Sequence, residues 1–222
     1  MTLDIAPLLL TMRLATVTTV ILYLLGLPVA WFLSQTRVRL KPVLEALFAL
    51  PLVLPPSVLG FYFLLAFSHQ GWLGSLWEKL FGHQLAFSFE GLVLGSVIFS
   101  LPFMVHPLQA GFNAVPRNLI EASYSLGKSK TLTMLKVILP SMKSSLLTGG
   151  VLAFAHTVGE FGVVLMIGGS IDNETKVASI AIYDLVESLD YQSAHIYAAI
   201  LFVFSFAILM AVYLVNKKLD LR

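Results

Sequence analysis

The chain has 222 residues, of which 58% are hydrophobic and only 12% charged, and its net charge is +2. A soluble domain carries about 25% charged residues, so this chain cannot cover a water-facing surface, and a mean hydropathy of +0.88 places it in the membrane class. Cysteine is absent, which excludes a disulfide framework, a thiolate metal site and a cysteine nucleophile.

The length fits one domain, with no room for a membrane domain plus a soluble catalytic domain. No secretory signal is expected, because Met1 to Leu10 lacks a basic n-region and no small-residue cleavage site follows the first apolar run. Five apolar stretches reach the roughly 20 residues that a bilayer requires. They lie near 8–34, 43–67, 91–112, 144–167 and 194–215. Five spans put the termini on opposite sides, and the Lys/Arg distribution decides which is which. Arg37, Arg39 and Lys41 follow the first span. Arg117, Lys128, Lys130, Lys136 and Lys143 separate the third from the fourth. Lys217, Lys218 and Arg222 follow the fifth. Eleven of the fourteen basic residues thus share one side, leaving Arg13, Lys79 and Lys176. That side is expected to be cytoplasmic, with the N-terminus outside.

In the first span, Thr16 and Thr19 share a helix face as an i, i+3 pair, with Thr18 beside them and Pro28 as a bend. The second span contains Pro51, Pro55 and Pro56, which free the carbonyls of Leu47, Pro51 and Leu52. In lipid such carbonyls need a neighbouring helix, a side chain or water in a cavity, so Pro55, Pro56 and Ser57 are candidate pathway residues. The loop 68–90 carries Trp72, Trp77 and Phe81, which suit the headgroup level. The third span adds Pro102, Pro107, Ser100 and His106.

The segment 113–143 is more than a turn. Pro116 suits the first position of a helix, Gly127 can end that helix in the left-handed conformation, and Ser129 can cap a second helix. That second helix should run through Leu139 and be stopped or kinked at Pro140. Leu119, Ile120 and Leu126 give the first helix some apolar surface, while Ala122 and Ser123 keep part of it smooth. Such a small face can enter a groove on another protein; an ordinary loop with Gly127 as a cap is the alternative. Gly127-Lys128-Ser129 imitates the end of a phosphate-binding loop, but position 122 is Ala where that motif needs Gly, and no strand precedes it.

The fourth span holds His156, Thr157 and Gly159-Glu160-Phe161-Gly162. A carboxylate at membrane depth is expensive and faces protein or water. Glu160 is therefore read as a gate or pathway residue with Thr157 and Gly159, or as a structural carboxylate paired to backbone or to a basic residue. Direct contact of Glu160 with an anion is disfavoured by charge. The loop 170–193 is acidic, and Val177, Ile180, Leu185, Val186 and Leu189 recur in it at helical spacing. No grouping has metal-ligand spacing and none reads as catalytic.

Glu121, Ala122, Gly127, Leu139 and Pro140 match the signature of membrane permease subunits of bacterial ABC importers, with Ser123 and Val137 as mild departures. The chain resembles that family in this segment. Residues 50–56 with Gly60, Phe87-Ser88-Phe89 and Gly159-Glu160-Phe161-Gly162 look like the molybdate permeases of its sulfate/molybdate branch. The resemblance covers nearly the whole chain. It implies an all-α integral membrane protein of the type I importer permease fold, with a permease domain over 8–215 in a bacterial cytoplasmic membrane. It further implies a homodimer, two cytoplasmic ATPase subunits that bind ATP and Mg, and an extracytoplasmic oxyanion-binding protein. No catalytic residue, cofactor or nucleic-acid partner is expected on this chain. By the same resemblance Arg117, Glu121, Ala122, Ser123, Gly127, Leu139 and Pro140 couple the pore to the ATPase. Sulfate, thiosulfate or tungstate transport are the alternatives in this class. A secondary transporter, which would need inverted repeats, or a membrane-embedded enzyme are the alternatives outside it.

Overall fold

The computed structural model describes residues 4–36 and 38–220, with side chains up to residue 216. Arg37, Arg222 and the side chains of Lys217 and Lys218, all used above for orientation, lie outside the described residues. Every regular element among the described residues is a helix.

The frame is three helices. α1 (Ala6–Gln35) begins with Pro at its first turn, where a missing N–H costs nothing, and Asp4 Oδ1 accepts the Ala6 N–H at 2.9 Å. Its 30 residues give about 45 Å, more than the hydrocarbon core requires. α5 (Phe89–Ala114) is capped by Ser88, whose Oγ accepts the Gly91 N–H at 3.1 Å, and continues through Pro102 and Pro107. α9 (Lys143–Val158) packs across both. Their axis is filled by Leu14, Leu22, Leu33, Leu92, Met104, Leu108 and Ala153, all essentially inaccessible. Met104 is the wedge. A methyl at Gly26 would stand 2.8 Å from its Cγ, and one at Gly149 would stand 3.2 Å from its carbonyl oxygen. Small residues at these crossings let the backbones approach, as van der Waals packing inside a bilayer demands.

The second and fourth expected spans are not continuous helices. α2 (Lys41–Val53) and α3 (Pro56–Phe67) meet at 107°. Pro51 lies inside α2, but Pro55 and Pro56 sit at the break and start α3, so they do not kink one long helix. After α4 (Trp72–Phe81) and α5 comes α6 (Arg117–Ser125). α7 (Lys130–Thr133), a π-helical turn (Met134–Ile138) and α8 (Leu139–Ser141) follow as one rod, which meets α9 at 75°. α9 ends at Val158, and α10 (Gly162–Gly168) resumes after the break at 159–161. α11 (Ala178–Glu187) is the helix expected in the acidic loop, with Val177 and Ile180 turned inward. α12 (Tyr191–Asp220) closes the chain. By length and composition α1, α5 and α12 can each cross a membrane, and the count rises to five if each bent pair is one span.

α12 shows large apolar groups such as Phe202 and Tyr213, 73% and 76% exposed, and α2 shows Leu47 and Val53. Such faces belong in hydrocarbon or against another chain.

Candidate functional site

At one end of the bundle, α6 is built as a separate short helix. Pro116 is its N-cap rather than its first residue, with an extended ψ of 131°. Its far end is closed by two bonds that meet carbonyls the helix leaves free: Gly127 N–H to Tyr124 O at 2.9 Å and Lys128 N–H to Ser123 O at 3.1 Å. That geometry needs Gly127 at φ +72°, where L side chains are strained, and no heavy atom lies within 4 Å of a Cβ built there. Ser129 then caps α7 by accepting the Leu132 N–H at 3.3 Å.

Arg117, Glu121 and Ala122 are exposed, but Ser123 is not. Its hydroxyl is turned inward onto Thr133 Oγ1 at 2.9 Å, and both side chains are buried. The smooth face expected to include Ser123 therefore stops at Ala122, and Ser123 ties α6 to the rod behind it. The rod ends one residue past Pro140, at Ser141, and bends by 75° into α9, in keeping with the expected stop or kink. The accommodation lies upstream, in the π-helical turn, where the Leu139 N–H reaches back to Met134 O. Ser141 Oγ donates to Val137 O at 2.6 Å beside the proline. The bend into α9 falls at Met142, with φ −112° and ψ 25°.

In the apolar body, the two motifs far apart in sequence are brought together. A methyl at Gly162 would meet Pro56 Cβ at 2.8 Å, and one at Gly60 would meet Met166 Cβ at 2.7 Å. α3 and α10 are thus in backbone-close contact, with Pro55 and Ser57 exposed beside the joint. Glu160 sits at the break just before α10 and is only 4% exposed. Its carbonyl accepts Ser179 Oγ at 2.6 Å, which fastens the break to α11. Its two carboxylate oxygens make no ion pair and no hydrogen bond of good geometry among the described residues; the buried Ser96 hydroxyl, likewise unpaired by geometry, is the polar group beside them. The pairing to backbone or a basic residue considered for Glu160 is therefore absent from the described residues.

The other polar candidates divide clearly. Thr16 and Thr19 donate to the carbonyls of Met12 and Ala15, the local back-bonding of membrane helices. Thr157 donates to Ala153 O and meets Ser100 Oγ at 3.1 Å, while His156 Nδ1 meets the same Ser100 oxygen at 2.8 Å. His156 is also stacked on Phe103, with ring centroids 4.0 Å apart. These groups form a packed interhelical cluster. Thr18 Oγ1 is buried without a partner among the described residues. At the acidic end Lys176 bridges Asp172 and Asp184, each at 3.2 Å. Burial opposes its charge, but the two carboxylates outweigh burial and raise its pKa above the ordinary value. Among the described residues, no three His, Asp or Glu side chains gather as metal ligands. The α3–α10 joint was not anticipated from the sequence; the signal for it was a glycine in each apolar stretch, the mark of a close helix crossing.

Residues 11–221 match the family described as binding-protein-dependent transport system inner membrane component. The molybdenum transport system permease protein ModB of Azotobacter vinelandii is 46% identical over 210 residues, covering 95% of this chain and 93% of that one. A probable sulfate transport system permease protein of Chlorella vulgaris is 35% identical, over 86% of this chain and 72% of its own. Among solved structures, a bacterial alginate ABC transporter in complex with a pentasaccharide-bound periplasmic protein matches with a TM-score of 0.77. It does so at 13% identity, over 99% of this chain and 80% of that one. An inward-facing methionine ABC transporter matches with a TM-score of 0.73 at 17% identity, over 97% and 95%. The fold is that of type I ABC importer permeases, and this chain belongs to the binding-protein-dependent transport system inner membrane components.

Proposed function

We propose that this permease carries molybdate inward across the cytoplasmic membrane, driven by ATP hydrolysis on a separate subunit. The 46% identity to a molybdenum permease over 95% of the chain carries the substrate reading. In this reading two copies form the pore. Two ATPase subunits, which hold ATP and Mg, receive α6, and an extracytoplasmic binding protein delivers the anion. The basic end of the bundle is cytoplasmic, the N-terminus outside and the C-terminus inside.

Arg117, Glu121, Ala122 and Gly127 present and terminate the docking helix. Ser123 transmits its movement to the rod, and Leu139 and Pro140 lead that rod to the bend at Met142. ATP binding draws both docking helices together and opens the pore outward; hydrolysis resets it. Pro55, Pro56, Ser57, Thr157, Gly159 and Glu160 surround the joint that shifts between these states. The absence of an Arg/Lys cage along the spans fits a low-affinity path whose selectivity resides in the binding protein.

Reconstitution with the ATPase and the loaded binding protein tests this. Labelled molybdate should accumulate only with ATP and should be competed by tungstate far better than by sulfate. Equal competition by sulfate overturns the substrate, and uptake without the ATPase overturns the importer reading in favour of a secondary transporter. Because the chain has no cysteine, single-cysteine reporters at either end give its orientation without background.

A further inference from the structure

Where α1 ends, α2 begins and α5 passes into α6, a polar cavity of about 320 Å³ opens. Its wall includes Ser34, Gln35, Asn113 and two cations, Lys41 and Arg117, and no carboxylate. Glu45 takes the Gln109 amide at 2.7 Å and stands 3.8 Å from the Lys41 ammonium, too far for a hydrogen bond. Among the described residues Arg117 has no ion pair and Asn113 has no hydrogen-bonded side-chain partner. The cavity thus offers the unpaired Arg117 guanidinium, a Lys41 ammonium held only by a long ion pair to Glu45, and amide donors in one place.

Phe112 is shared with a second cavity of about 310 Å³, walled by Leu27, Pro28, Trp31, Met134 and Leu139 and almost wholly apolar. Trp31 meets Phe112 edge-on at 5.1 Å, so the two rings form the boundary between the polar and apolar compartments. From Trp31 to Leu27 the groove follows α1 for about 6 Å away from its basic end. A free oxyanion uses the first compartment and leaves the second unexplained. A ligand with an anionic head and a hydrocarbon tail uses both.

We propose that this pair of cavities is a binding site for an anionic phospholipid, with its phosphate between Lys41 and Arg117 and an acyl chain along Leu27–Trp31. The proposal rests on the orientation given above, which puts the polar cavity at the cytoplasmic headgroup level. Basic pockets between helices at that level take up anionic headgroups, and each cation there contributes about fivefold in affinity. The site lies at the root of α6, so a bound lipid braces the point from which the docking helix projects.

The test is native mass spectrometry of the full-length chain, alone and with its ATPase, released from nanodiscs of phosphatidylcholine mixed with phosphatidylglycerol. Phosphatidylglycerol should be retained selectively. Lys41→Gln with Arg117→Gln should lower that retention by about 25-fold, while Lys128→Gln, which removes a cation away from the cavity, should not. Trp31→Ala should weaken retention of the lipid without altering competition by inorganic phosphate. Unchanged retention in the double variant overturns the site. Displacement of the lipid by inorganic phosphate, together with indifference to Trp31→Ala, overturns the lipid and leaves a free-oxyanion site. A cysteine at position 41 that labels only from the outer side overturns the orientation instead, an outcome that retention measurements do not produce.

Discussion

Gly60 gives the sharpest test of how the apolar body is held. A methyl there would stand 2.7 Å from Met166 Cβ and 3.3 Å from Val163 Cα. Carbon pairs settle at about 3.5–4.0 Å, so α3 and α10 must separate by about 1 Å to admit it. Neither obstacle is the end of a flexible side chain, so the cost falls in the upper part of the overpacking range, about 2–3 kcal/mol. For a chain of this size that lowers Tm by about 4–12 °C. Gly159→Ala is the control, because its methyl meets only the Ala155 and His156 carbonyl oxygens, at 3.6 and 3.8 Å, in ordinary van der Waals contact, and should shift stability by less than about 0.5 kcal/mol. Thermal unfolding of the detergent-purified variants, followed by tryptophan fluorescence, reads both. Met166→Gly on top of Gly60→Ala should recover part of the loss, a non-additivity expected of touching residues. Gly60→Ala matching the Gly159→Ala control would show that α3 and α10 are not joined as described.

At Gly127 the cost is conformational instead, since the space is open: Ala should lose about 1–2 kcal/mol and Asn less, and equal stability of all three by thermal unfolding would contradict the left-handed cap. Ser123→Ala strands the buried Thr133 hydroxyl and should cost about 1–3 kcal/mol, with Thr133→Val restoring much of it; a double variant worse than the sum of the singles would refute the pairing. Glu160→Gln replaces a buried carboxyl group whose oxygens have no hydrogen-bond partner among the described residues, so its Tm should equal or exceed that of the parent, whereas a clear drop would reveal a partner for the carboxyl outside the described residues. The raised pKa of Lys176 means that its bridge is fully present below the ordinary value of 10.5 and is lost as pH rises through the higher folded value. Lys176→Met should therefore flatten the alkaline fall in stability, and an unchanged slope would detach that fall from this cluster.

Much of the architecture was legible because it rests on local chemistry. The long apolar runs are the helices α1, α5 and α12, Ser129 caps α7, and Gly127 terminates the α6 turn at positive φ. What was not legible depends on direction or on distant partners. Hydropathy weighs composition along a segment and is blind to a 107° turn within it, so residues 43–67 read as one span. Ser123 looked like part of a smooth surface because its partner, Thr133, lies ten residues on across a glycine turn. Pro140 was expected to stop or kink the second helix, and the rod does end at Ser141 and bend by 75° into α9, but the π-helical turn ahead of the proline is marked by no propensity. The carboxylate of Glu160 stands out in the sequence, but its lack of a hydrogen-bond partner among the described residues depends on the packing of distant helices.

Each break is paired with a fixed contact. α6 is tied to the rod by Ser123 and Thr133, and the rod meets α9 at Met142. α9 breaks at Glu160, whose carbonyl is held by Ser179 of α11, and α10 beyond it is locked to α3 through Gly60 and Gly162. α6 and the 107° elbow of α2 and α3 are therefore linked through short helical pieces, with breaks in the backbone at Met142 and at residues 159–161. Hinges that absorb backbone rotation between packed elements are the usual means of turning a small docking movement into a larger displacement. A straight five-helix bundle with the same composition would lack those joints. The prolines and glycines of the second and fourth apolar stretches thus support the proposed coupling, because they place the α3–α10 contact and the break at 159–161 beside Glu160, whose carboxylate oxygens have no hydrogen-bond partner among the described residues.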